Sequence, residues 1–132
     1  MQLGSWYLGD NQSSFILWAP LLKQVDLHLV SPAEKLIPMQ RDEQGYWQTT
    51  AEAPPGTLYY YRYDDDADRP DPASYSQPQG VHQVSEVIDH NAFQWTDQQW
   101  QGIPLEDLVI YELHIGTFTP EGTFEAAIDR LP

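Results

Sequence analysis

Glu112 and His114 stand two residues apart in an apolar run, a spacing that puts a carboxylate and an imidazole on one face of an extended strand. Such a pair can orient a group beside it, and a structural hydrogen bond is the expected role. Glu106 and Asp107 are adjacent, so their side chains point to opposite faces and do not form an acid–base pair. Asp64, Asp66 and Asp68 have the one, three, five spacing of a calcium loop. Arg69, however, stands where the turn glycine belongs, and Tyr75 where a bidentate glutamate is needed. The row is therefore read as a solvated hairpin turn. His82, His90 and His114 lack metal-ligand spacing. No glycine-rich phosphate loop or nucleophile elbow occurs, so neither a metal nor a cofactor is expected.

These residues are set in a chain of 132 residues with a formal net charge of −14. That length holds one ordinary domain and a little more, whereas a (β/α)8 barrel needs about 250 residues. The acidic balance opposes binding to nucleic acid and to anionic membrane. Cysteine is absent, so no disulfide framework is available. The opening MQLGSWYLGD is unlike a signal peptide, and no apolar run approaches a membrane span. A cytoplasmic location is the default.

From Ser14 to about Asp89, short apolar stretches alternate with turn chemistry, the signature of a β-sandwich. Residues 14–19 (SFILWA) are nearly all apolar and suit a strand covered on both faces. Across residues 24–30, Val25, Leu27 and Leu29 alternate with Gln24, Asp26 and His28, predicting one buried and one wet face. Residues 36–40 and 46–50 flank a polar turn and read as a hairpin. After Pro54-Pro55-Gly56 comes residues 57–63 (TLYYYRY), with Tyr59, Tyr61 and Tyr63 on one face, and residues 84–89 form the last strand. Trp18, Trp47 and these three tyrosines are expected in the core. Residues 91–104 read as an extended connector packed by its own rings. Residues 107–115 then predict a strand, 116–122 a loop and 123–131 a short helix. Thr123 is its N-cap, Phe124, Ala127, Ile128 and Leu131 form its apolar stripe, and Pro132 stops it. A helix this short needs its stripe covered, so residues 107–131 read as half of an incomplete βαβ unit.

The run from Leu105 to Phe124 (LEDLVIYELHIGTFTPEGTF) and the pair PDPAS (70–74) and QPQGVH (77–82) resemble the maltooligosyltrehalose trehalohydrolase family of the α-amylase superfamily. LWAP (17–20) and AFQWTD (92–97) resemble it more weakly. The family usually has arginine after Ala73-Ser74 and Gly-Pro after His82, where this chain has Tyr75 and Gln83-Val84. The resemblance implies a mostly β fold: an immunoglobulin-like sandwich of the early-set type over residues 1–90, a connector at 91–104, and the first strand and helix of a (β/α)8 barrel at 105–132. It implies a glycosidase parent of trehalose biosynthesis that cleaves the α-1,4 bond next to the trehalose end of maltooligosyl trehalose. Its retaining carboxylate pair, about 5 Å apart, would lie on later barrel strands, so no catalytic residue is assigned here. The partners implied are the chain's own downstream barrel and the α-glucan substrate. Tyr111, His114, Gly116, Thr117 and Phe118, at the C-terminal end of the first barrel strand, are the residues expected nearest the substrate. The alternatives are the related glycogen branching enzymes, or a non-catalytic sandwich that binds glucan or protein. Glycogen-binding modules of this type carry a tryptophan in the loop after the second or third strand. The matching stretch, Ser31 to Lys35, has none.

Overall fold

The structure is a computed structural model that describes residues 2–64 and 67–131. Asp66 of the aspartate row and the Pro132 helix stop lie outside the described residues. The chain forms two compact units that divide between Gln94 and Trp95.

The first unit is a two-sheet sandwich built from β1 (Gly4–Gly9), β2 (Gln12–Trp18), β3 (Val25–Ser31), β4 (Lys35–Pro38), β5 (Gln40–Arg41), β6 (Tyr46–Glu52), β7 (Leu58–Tyr63), β8 (Asp68–Arg69) and β9 (Ser85–Glu86). One sheet runs β1-β2-β6-β5; the other runs β4-β3-β7-β8, with β9 also on β7. All the pairings are antiparallel. Phe15, Leu17, Trp47 and Ala51 from the first sheet meet Val25, Leu27, Leu29, Tyr59 and Tyr61 from the second to make the core. The rings of Phe15 and Tyr59 close that contact edge to face at 5.0 Å.

Strand β1 is absent from the sequence reading. It pairs with β2 through a tight turn in which Asp10 (φ 49°) and Asn11 (φ 59°) both take left-handed backbone, the requirement of a type I′ hairpin. Strand β8 also falls where only a polar break is expected.

Four strand-level expectations change. β2 is buried on one face only, because Phe15 and Leu17 point inward while Trp18 points out and is 56% exposed. Its indole Nε1 donates to the Gln44 carbonyl at 3.2 Å, which satisfies the ring's polar atom without burying the ring. In β3 the polar face is also buried: Asp68, Arg62 and Glu34 surround His28, and Asp26 accepts the Gln24 side-chain amide at 2.8 Å. The expected hairpin is split: Gln40-Arg41 pairs with β6, but Lys35–Pro38 pairs with β3 in the opposite sheet. The chain changes sheets at Met39, which is buried and donates its N–H to the Val25 carbonyl at 3.0 Å. Of the last expected strand, only Ser85-Glu86 joins a ladder.

In the second unit, residues 107–115 form no ladder. Leu105–Asp107 is a single 3₁₀ turn, and Val109 and Ile110 are exposed. A strand's amides need a neighbouring strand, and none lies beside this run among the described residues. The expected loop begins with a helical turn, α1 (Ile115–Phe118). The terminal helix is shorter than the pattern predicts, α2 (Phe124–Ile128), with Thr123 capping it by accepting the Ala126 N–H at 3.2 Å. Only Ala127 of the predicted stripe is buried; Phe124, Ile128 and Leu131 are exposed. The connector rings Phe93, Trp95 and Trp100 are exposed to solvent. No helix of the described residues is long and apolar enough to cross a membrane.

Candidate functional site

The five residues expected near substrate fall around α1. His114 precedes the turn, and its carbonyl accepts the N–H groups of Thr117 and Phe118, each at 3.0 Å. The Thr117 hydroxyl lies 3.3 Å from His114 Nδ1. A Cβ at Gly116 would come within 2.9 Å of His114 Cε1, so a larger residue there would displace that exposed ring. Phe118 meets Tyr111 edge to face at 6.5 Å, and with Arg130 and Leu131 these rings line a hollow of about 430 Å³. The unit therefore brings Tyr111 and Phe118 together at one end and His114, Gly116 and Thr117 in one turn. The shared strand face expected for Glu112 and His114 requires a ladder that is not formed.

The Pro70-to-Ser74 motif is tied to the sandwich core by a buried polar clamp. Asp71 Oδ2 accepts the Tyr59 hydroxyl at 2.6 Å and the Tyr61 hydroxyl at 3.3 Å. Its Oδ1 accepts the Ala73 N–H at 2.8 Å, and its own N–H donates to Ser85 Oγ at 3.0 Å. Burial pushes the Asp71 carboxyl above the usual carboxylate range. Burial and the neighbouring Asp71 charge likewise raise both tyrosine hydroxyls, so they remain protonated donors. The backbone of this motif also crowds Gly4, where a Cβ would lie 2.7 Å from the Ala73 carbonyl oxygen.

The aspartate row does different work at its two described ends. Asp64 accepts the N–H groups of Lys23 and Gln24 at 3.0 and 2.7 Å, which lower its pKa. Asp68 pairs with Arg62 at 2.9 Å and with His28 Nδ1 at 2.9 Å, while Glu34 lies 3.3 Å from His28 Nε2. Burial works against the Asp68 charge, but bonds from Arg62 and His28 outweigh it and hold the carboxyl below its ordinary range. Among the described residues, no group of three metal-ligating side chains comes together.

The outward face of the β1-β2-β6-β5 sheet has another character. Register places Trp18 opposite Tyr46, Ile16 opposite Gln48, and Ser14 opposite Thr50. Gln40 extends the middle row across β5, and Trp6 extends the last row across β1. Glu52, opposite Gln12, is the first ionisable carboxylate reached along this face. Alternation in QSSFILW and YWQTTAE carries the signal for this surface, once the two segments are known to pair in this register. His90 stacks on Trp6 at 4.1 Å and covers that end of the face. Of the aromatic residues assigned to the core, Trp47, Tyr59 and Tyr61 are buried and Tyr63 is half-buried.

The model of the carbohydrate-binding module 48 family (isoamylase N-terminal domain) matches residues 2–91. The malto-oligosyltrehalose trehalohydrolase of Saccharolobus solfataricus is 45% identical over 125 residues, covering 94% of this chain and 22% of that protein. The malto-oligosyltrehalose trehalohydrolase of Arthrobacter ramosus is 42% identical over 120 residues, covering 89% and 21%. Among solved structures, a putative α-amylase from Salmonella typhimurium matches with a TM-score of 0.87 and 38% identity, covering 97% of this chain and 22% of that one. The chain thus spans about a fifth of the length of the curated relatives it matches.

Proposed function

Because the chain belongs to the carbohydrate-binding module 48 family over residues 2–91, we propose that it serves as the N-terminal accessory part of an α-amylase-superfamily glycoside hydrolase. The parent activity is cleavage of the α-1,4 bond next to the trehalose end of maltooligosyl trehalose, with release of trehalose. One observation carries this reading: similarity to proteins named trehalohydrolases continues through 94% of the chain, past the sandwich and into the Leu105-to-Phe124 run.

On this proposal residues 1–90 are the accessory sandwich, 91–104 the connector and 105–132 the entry to the barrel. The sandwich packs beside the barrel and shapes access to it. Tyr111, His114, Gly116, Thr117 and Phe118 border the substrate, and the catalytic carboxylates lie on other parts of the barrel. The same reading includes a role in trehalose biosynthesis and a cytoplasmic location.

The test is to express the complete reading frame that contains these codons and supply maltotriosyl trehalose. Free trehalose as the product is expected. Transfer of glucan chains to new branch points, without trehalose release, would replace this reading with a branching activity. The 132-residue chain assayed alone should release no trehalose, and measurable turnover by it would overturn the assignment of the chemistry elsewhere.

A further inference from the structure

We propose that His28 is a pH-operated latch: its protonated ring fastens the turn between β3 and β4, through Glu34, to the outward face of the β4-β3-β7-β8 sheet, and its neutral ring releases that turn. The inference is independent of the parent activity proposed above and rests on the partners of one ring.

Both ring nitrogens of His28 face a carboxylate. Nδ1 lies 2.9 Å from Asp68 Oδ2, and Nε2 lies 3.3 Å from Glu34 Oε1. A neutral imidazole has one N–H and one lone pair, so it can donate to only one of them, whereas the imidazolium donates to both. Asp68 has the stronger claim on a single proton. It is the nearer acceptor, and 28% of its side chain is open to solvent against 80% for Glu34. Arg62 also fixes its carboxylate, through Nε at 2.9 Å and Nη2 at 3.2 Å. That Nη2 lies 3.1 Å from His28 Nδ1 as well, but the charged oxygen is the better acceptor for it. The neutral ring therefore keeps its proton on Nδ1 and turns a lone pair toward Glu34.

The rest of the surroundings offer Nε2 no substitute among the described residues. β7 brings Arg62 and, directly opposite His28, Tyr60; β4 sets Leu36 opposite it; Asp26, two residues back on β3, is engaged by Gln24. The ring is 8% exposed, so its charge is screened less than that of a surface histidine. Glu34 has no other side-chain partner among the described residues. With Pro32 and Ala33 it walls a hollow of about 320 Å³ over Leu29 and Thr57. Between the carboxylate range and the imidazole range of pH the latch is seated, and that wall is tied down. As pH rises through the imidazole range the second donor is lost and the wall is free to move.

The 132-residue chain is followed by NMR from about pH 5 to about pH 8, the range in which imidazoles titrate. Long-range proton–nitrogen spectra should place the neutral ring's proton on Nδ1. The backbone amides of Ala33 and Glu34 should titrate with the same midpoint as the His28 ring, and their heteronuclear NOE should fall at the higher pH. Glu34→Gln, at an exposed side chain, should lower the His28 midpoint by about 0.2–0.7 of a pH unit and remove most of the Ala33 response. Glu43→Gln, in the turn between β5 and β6 of the other sheet, should change neither. Unchanged dispersion of the remaining amides checks that each variant is folded. A neutral ring protonated on Nε2, a His28 ring that does not titrate across this range, Ala33 and Glu34 amides that do not follow it, or a midpoint unmoved by Glu34→Gln would each overturn the proposal.

Discussion

Replacing Asp71 with alanine removes the acceptor shared by two tyrosine hydroxyls whose side chains are wholly buried. The Ala73 N–H loses its partner too, but it lies nearer the surface. A buried donor left unpaired costs about 1–3 kcal/mol. The short bond from Tyr59 belongs toward the top of that range and the longer one from Tyr61 toward the bottom, so Asp71→Ala should cost about 3–4 kcal/mol. Domains of this size have about 5–15 kcal/mol in all, so the variant should still fold at 25 °C but with a clearly lowered urea midpoint. Intrinsic fluorescence of the buried Trp47 ring follows the transition. Tyr59→Phe in the Asp71→Ala background should cost much less than in the native protein, because the hydroxyl then has no acceptor to lose. The pH dependence supplies a second check. Burial raises the folded-state pKa of Asp71, so its contribution is greatest at low pH and is lost as pH rises through that pKa. Native protein should therefore lose stability relative to Asp71→Asn as pH rises out of the carboxylate range. A loss below about 1 kcal/mol for Asp71→Ala, the size expected at an ordinary surface position, would refute the clamp.

Asp68 should show the opposite pH response. Its folded-state pKa is depressed, so the stability it contributes is present above the ordinary carboxylate pKa and lost as pH falls through the folded value. Asp68→Ala should cost about 1–2 kcal/mol at pH 7, discounted for partial exposure, and nearly nothing in strong acid. Urea melts at the two pH values test this. Gly45 has φ 86°, and a Cβ there would come within 2.6 Å of Pro20 Cβ. Gly45→Ala should destabilise the sandwich by about 2–3 kcal/mol in the same assay, since strained backbone and overpacking add.

What could be read from the sequence was whatever local pattern dictates. Tyr59 and Tyr61 are buried as their period of two predicts, and Thr123 caps its helix as its position predicts. Register was not legible, and the surprises follow from it. Trp18 reads as core by composition, but its place outward of Leu17 depends on which side of β2 the second sheet covers. His28 reads as wet because its burial depends on Arg62 and Asp68, which are distant in sequence and adjacent only after β7 and β8 pair. Asp71 carries no local sign of its role, since its partners come from β7 and from Ser85. The glutamine face is assembled from β2, β5 and β6, and no one of those segments contains it.

The change of sheet at Met39 has a consequence for how the sandwich comes apart. Residues 35–41 lend hydrogen bonds to one sheet and then, after a single buried residue, to the other. Peeling β5 from the first sheet therefore drags on the edge of the second, and the two layers cannot separate like the leaves of a book while that crossing remains seated. Melting of the sandwich is thereby made a joint event of both sheets, and a methionine side chain serves as the rivet between them.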